Sequence, residues 1–429
     1  MERSVDAARL VLALANLWSL RGPTSMIEHY LPQAIERLGR AEPALQARLL
    51  RGASTVYSSK GRLVGRGALE RAVTLARQSG DDALLLEMLT ALMYQYGMNG
   101  DWPEFDGCLP QAKALADKLG DEGLYAGYEM ALGLGAYMRG NTAEALRSWH
   151  AALPLLERRD IVGSKLTATL NLAVLYTELD QAEEAERFHG MALAMSQAHG
   201  NLMAGGICHA NYGNFLRLTD RWGESEKHYR QAIQIHQQTG NNGYLNPAQS
   251  NFAALLVMQG RRQEARALFD TVFARSDGAG NKGRNMGYAS CACAGLEALE
   301  GDVKTTQAKI ERARDIFAGH DDPRGLDTVN VASACIALAR AFAGEISSEK
   351  AVAIAHKRIA WAHEIDPKRG RAPVQETDDV RIAIRIVERV IVELEGADEG
   401  THATTRQDET IQTSMLDVEL PDEADSPFS

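Results

Sequence analysis

Proline and cysteine are scarce in this chain of 429 residues, which holds 12 of the first and 5 of the second. Few prolines leave long helices unbroken. The five cysteines (Cys108, Cys208, Cys291, Cys293, Cys335) are odd in number and mostly set among apolar residues. That excludes a disulfide scaffold and fits reduced thiols. No apolar run approaches the roughly 18 residues that a membrane-spanning helix needs. The opening MERSVDAARL reads as an amphipathic helix with acidic residues and no signal-peptide cleavage pattern. A cytoplasmic protein without membrane contact is the expectation. Positive charge is also missing. The formal net charge is −11, and Gly396 to Ser429 hold nine acidic residues against one arginine, leaving about −3 on the rest. No basic field exists to attract nucleic acid.

Catalytic motifs are absent too. No GxxxxGK[ST] occurs, and the nearest stretch, GAGNKGRN at 278–285, lacks both the spacing and the final hydroxyl. It reads as a turn between helices. Cys291 and Cys293 fall roughly 200° apart on a helix, and no second ligand pair stands near them in sequence. Cys208 and His209 are neighbours that do not face each other on a helix. His189 occupies a slot that Trp149, Tyr229 and Phe269 fill in sibling segments, so its role is packing. Glu183 and Glu184 read as a solvated face. No catalytic residue, metal site or cofactor is expected, and the chain is not expected to be an enzyme.

What the chain does have is repetition. Gly22, Gly61, Gly100, Gly140, Asp180, Asp220, Gly260, Gly301 and Gly344 recur about 40 residues apart, and Gly39, Gly80, Gly120, Asp160, Gly200, Gly240 and Gly280 form a second series with the same period. Glycine, and after it Asp or Asn, most readily adopts the left-handed conformation that ends a helix. The pattern is therefore helix, turn, helix, turn. Side-chain size repeats with it. Seven residues before the first series stand small residues such as Gly133, Ala173, Gly213 and Ala253. Twelve after it stand Ala112, Ala152, Ala192 and Ala232. Small residues let paired helices approach, and larger neighbours fill the gaps.

Tyr212-Gly213, Ala185, Tyr229 and Ala232, with Phe252, Ala265 and Phe269, resemble the tetratricopeptide repeat pattern. The resemblance spans roughly residues 5 to 366 and is strongest from 123 to 276. The early copies depart from it at Ser54 and Met93, and the last two place Glu297 and Arg340 where Tyr or Leu is usual. The 40-residue unit is similar to the arrays of large bacterial signalling regulators, in which such repeats follow a nucleotide-switch ATPase or a Ser/Thr kinase. The fold expected is an all-α, right-handed α-solenoid of about nine hairpins over residues 1–366. A linker and capping helix follow at 367–395, with the helix at Glu376–Glu395 covering the open face of the last hairpin. Residues 396–429 are expected to be a disordered acidic tail.

Three central copies carry asparagine at one register: Asn171, Asn211 and Asn251. Elsewhere that position is Ala13, Gly52, Ala91, Ala131, Ala292 or Cys335, so packing does not require it, and Asn is a weak helix former. In the family this position faces the concave groove, and the resemblance implies that these amides hold the backbone of an extended peptide, with Asn214 and Arg217 on the same face. The alternative is that the asparagines make polar contacts between adjacent hairpins. The function expected is a non-catalytic protein- or peptide-binding scaffold of a bacterial signalling system. The rival is an array that senses a small ligand for a transcriptional regulator. A second contact through the acidic segment 411–429 is also expected, against the plainer role of a solubilising tail.

Overall fold

The computed structural model describes residues 2–21, 24–38, 42–59, 62–278, 283–320, 322–368 and 378–405. Among them every regular element is helical. The first three hairpins are α1 (Glu2–Arg21) with α2 (Thr24–Leu38), α3 (Pro43–Ser59) with α4 (Arg62–Ser79), and α5 (Asp82–Asn99) with α6 (Trp102–Leu119). The central three are α7 (Glu122–Met138) with α8 (Thr142–Arg158), α9 (Val162–Glu178) with α10 (Ala182–Ala198), and α11 (Leu202–Leu218) with α12 (Trp222–Thr239). The seventh and eighth are α13 (Asn242–Met258) with α14 (Arg262–Gly278) and α15 (Arg284–Leu299) with α16 (Val303–Gly319). In the ninth, the first helix is split into α17 (Pro323–Ala332) and α18 (Ala334–Phe342) before α19 (Ser348–Lys368). The break falls at Ser333, whose hydroxyl donates to the Asn330 carbonyl at 2.6 Å, a local bond that competes with the helix ladder.

The turn residues behave as their chemistry requires. Gly100, Gly140, Asp180, Asp220, Gly260, Gly301 and Gly344 all have positive φ, as do Gly80, Gly120, Asp160, Gly200 and Gly240. Gly22, Gly39, Gly61 and Gly280 lie outside the described residues. At Asp180 the reversed chain satisfies the helix end through Gln181 N–H to the Tyr176 carbonyl at 3.0 Å and Asp180 N–H to the Thr177 carbonyl at 3.2 Å.

Gly133 and Gly213 receive aromatic rings from the second helices of their own pairs. Trp149 is 1% exposed, and a Cβ at Gly133 would fall 2.5 Å from its ring nitrogen. Tyr229 packs on Gly213 in the same way. His189 fills the equivalent slot, buried and stacked on Tyr212 with an interplanar angle of 3°. Gly133→Ala is expected to destabilise the fold by about 1–3 kcal/mol, since the Trp149 ring cannot retreat from a close-packed site. A urea melt followed by circular dichroism measures it, and a loss below roughly 0.5 kcal/mol would contradict the close approach.

The array coils back on itself after five hairpins. Helix α1 touches α11, with the Arg21 guanidinium against Gly200. The Arg324 guanidinium of α17 lies over the Tyr137 ring of α7, 5.9 Å from its centroid, and beside Gly140.

The last helix, α20 (Asp378–Thr405), goes further than the sequence suggests. It meets the ninth hairpin, but it also packs against α11, α13 and α15. It continues to Thr405, past Glu395, where the sequence pattern places its end. Nine of its apolar side chains are buried, among them Ile386, Val387 and Val390. One edge carries Arg381, Arg385 and Arg389, one helical turn apart. Arg381 donates to the Thr177 carbonyl at 3.0 Å and faces Asp180. Arg385 donates to the Leu218 carbonyl at 2.8 Å and pairs with Asp220. Arg389 lies against Gly260 and pairs with Glu393, which also holds Arg262 at 2.9 Å. Three cations thus sit at the C-terminal ends of α9, α11 and α13, where unpaired carbonyls and the helix dipole favour positive charge.

Candidate functional site

The surface that faces α20 is built by the first helices of the sixth to ninth hairpins. Between α20 and helices α11, α13, α15 and α17 lies a cavity of about 220 Å³. It is lined at the same registers on successive helices, with Asn251 of α13 and Ala292 of α15 at the asparagine position and Asn214 of α11 and Ala254 of α13 at the next inward one. Of the three asparagines that share this register, Asn251 borders this space.

The three asparagines are all half-buried. The Asn171 side-chain nitrogen is buried without a hydrogen-bond partner. Among the described residues, no hydrogen bond is made by the side-chain amide of Asn211 or Asn251 either; only the Asn251 backbone carbonyl is engaged, by Arg217. Asn214 is different, because its Oδ1 accepts the Tyr229 hydroxyl at 2.7 Å, leaving the amide N–H groups over. Arg217 is different again. At 1% exposure it is one of the largest fully buried side chains. It bridges α11 to α13 by donating from Nη1 to the Asn251 carbonyl at 3.0 Å and lies over the Tyr229 ring, while its Nε has no partner.

Helix α20 therefore divides the predicted set. Asn214, Arg217 and Asn251 border the cavity that it helps to close, whereas Asn171 and Asn211 are not among the cavity's lining residues. Two aromatic walls escape sequence reasoning. Tyr94 of α5 and Tyr244 of α13 are 43% and 49% exposed, yet burial raises the pKa of both hydroxyls, and Tyr244 raises that of Tyr94 further. The only hint in the sequence is an aromatic residue at an inward register, which reads equally well as core.

Histidines cluster on the neighbouring helices. The Nδ1 atoms of His209 and His228 are 3.0 Å apart, so at least one ring is neutral; burial lowers both pKa values, His209 to about 4. His236, fully buried against Gly206 and stacked on Tyr244, is lowered by burial to about 4. The thiols are inert: burial pushes Cys208 up to about 11 and Cys293 to about 12. Among the described residues no group of three His, Cys, Asp or Glu is placed to hold a metal ion. None of the described helices is long and apolar enough to cross a membrane. The segment 411–429 lies outside the described residues.

No curated protein matches the sequence. Among solved structures, the chain is similar to a Rap protein complexed with competence and sporulation factor, at 13% identity and TM-score 0.56, covering 82% of this chain and 99% of that one. It is also similar to a signal transduction ATPase with numerous domains, carrying a tetratricopeptide repeat sensor, from Pyrococcus horikoshii. There the identity is 14% and the TM-score 0.50, over 72% of this chain and 47% of that one. At such identities the likeness concerns the fold. Residues 166–199 and 207–277 match models of the tetratricopeptide repeat, and the chain is accordingly a helical solenoid that carries tetratricopeptide repeats.

Proposed function

We propose that this chain is a non-catalytic scaffold that holds an extended peptide or protein segment in its concave groove, as the sensing or docking part of a bacterial signalling system. The observation that carries the reading is the state of the three asparagines. A purely structural ladder would bond each amide to the next hairpin. Instead, among the described residues, the amides of Asn171, Asn211 and Asn251 have no partner. The Asn171 nitrogen, buried without a partner, is costly to keep, Asn is a weak helix former at all three sites, and an extended peptide offers each amide both a donor and an acceptor. The Rap protein of similar fold is solved with competence and sporulation factor bound, and the Pyrococcus protein carries its repeats as a sensor. Both support an interaction role.

The test begins with peptides selected from a random display library against the wild-type chain. Replacing Asn171, Asn211 and Asn251 together by Ala should weaken binding roughly 100-fold, about 1 kcal/mol for each asparagine lost. The melting temperature should hold or rise, because Ala is the better helix former by about 0.5 kcal/mol per site. Binding that stays within about threefold of wild type would end the groove reading.

A further inference from the structure

The cavity beneath α20 is a feature in its own right, because its chemistry is unlike that of an empty packing defect. Dry voids are lined by apolar atoms. This one joins an apolar wall, including Ile386 of α20, to polar side chains, among them Asn214, Arg217 and Asn251, with Ser250, Asn285, Tyr288, Thr328 and the Asp379 carboxylate also in the lining. Among Asn214, Arg217 and Asn251, spare donors outnumber spare acceptors. The Asn214 oxygen is taken by Tyr229, so only its N–H groups remain. Arg217 uses one N–H on the Asn251 carbonyl, and its Nε, fully buried, has no partner. The Asn251 amide makes no hydrogen bond among the described residues. An unpartnered guanidinium N–H in a buried site is unfavourable unless something accepts it.

We infer that this cavity binds a small organic carboxylate, its oxygens on Arg217 and Asn214 and its apolar body against Ile386 and Ala383 of α20. A carboxylate supplies only acceptors, which Asn214, Arg217 and Asn251 have fewest of, and a guanidinium with adjacent amides is a favoured cradle for it. About 220 Å³ suits a small metabolite, below the usual range for drug-sized ligands. The site is also wired to the groove. Arg217 contacts the Asn251 backbone on one side, and its own carbonyl faces Arg385 of α20 at 3.5 Å on the other. The inference shares Asn251 with the peptide reading, but Asn171 and Asn211 lie outside the cavity lining, so a variant with Ala at those two positions alone separates the two.

The experiment titrates the full chain with hexanoate, with 1-hexanol as the uncharged match, and with acetate, octanoate and the common amino acids. Titration calorimetry and thermal shift are the readouts. At least one carboxylate should bind, and where that carboxylate is hexanoate, 1-hexanol should bind at least roughly tenfold more weakly. Arg217→Gln should cost the same factor. Because that variant loses a bridge between helices, Ala383→Leu provides a second arm; it fills the cavity from α20, so it should abolish binding while melting no lower than wild type. The proposal is overturned if no carboxylate in the panel binds, if 1-hexanol binds as well as hexanoate, or if binding survives Ala383→Leu.

Discussion

Ile386→Asp is expected to destabilise the chain by about 4 kcal/mol or more, the largest single effect foreseen here. Ile386 is 2% exposed and its γ-methyl seats directly on Gly295 of α15. Removing the side chain forfeits roughly 2–5 kcal/mol of burial and packing, and the carboxylate must then be desolvated or protonated. Because α20 is packed through α11, α13, α15 and the ninth hairpin, losing its seat exposes the apolar face of four hairpins at once. Val392→Asp is the internal control: it lies on the same helix at 59% exposure and should stay within about 0.5 kcal/mol of wild type. Urea denaturation of both variants decides the matter. If Ile386→Asp unfolds within about 1 kcal/mol of Val392→Asp, α20 is not the fixed groove element described above.

Acid should also unfold this protein earlier than its carboxylates require. Burial lowers the pKa of His189 to about 3 and of His236 to about 4, against roughly 6.5 in an unfolded chain. Both folded values are depressed and both groups are bases, so the sign is fixed. Above pH 6.5 neither state binds the extra proton and stability is full. Between 6.5 and the folded values only the unfolded chain is protonated, and stability falls as the pH falls. At pH 5 each of these two fully buried rings contributes about 2 kcal/mol of loss, about 4 together. The partly exposed His209 and His228 push the same way. Salt-bridged carboxylates such as Glu144 and Glu264, held low by Arg147 and Arg261, lose their contribution only as pH drops through the carboxylate range. Unfolding free energies at pH 7.5 and 5.0 therefore isolate the histidines. His189→Phe, which copies Phe269 of a sibling repeat, should remove about one proton from the uptake on unfolding. A stability unchanged between the two pH values would contradict the buried neutral rings.

How much of this was legible beforehand depends on whether the cause is local. Turn positions were, because Asp160, Asp180 and Asp220 announce a helix end through backbone chemistry that a single residue carries. The slot occupied by His189 was legible from its siblings, since a repeat packs only on its neighbours. The shared register of the asparagines was legible for the same reason. The destination of α20 was not. Its sequence shows an amphipathic helix, and the spacing of Arg381, Arg385 and Arg389 marks one edge. The helix ends those arginines meet lie about 130 to 200 residues earlier, and no periodicity encodes a partner at that distance. Arg217 illustrates the same limit. Its register puts it on the groove side, but only the approach of α13 and α20 turns it from a surface cation into a buried bridge.

In the proposed function, partners are gripped by the first helices of the fifth to seventh hairpins. Photo-crosslinking tests it most directly, using a selected peptide with benzoylphenylalanine at successive positions and mass-spectrometric mapping of the adducts. Adducts confined to α9, α11 and α13, advancing from helix to helix as the probe moves along the peptide, are the predicted result. Adducts on the second helices, α10, α12 and α14, would contradict it.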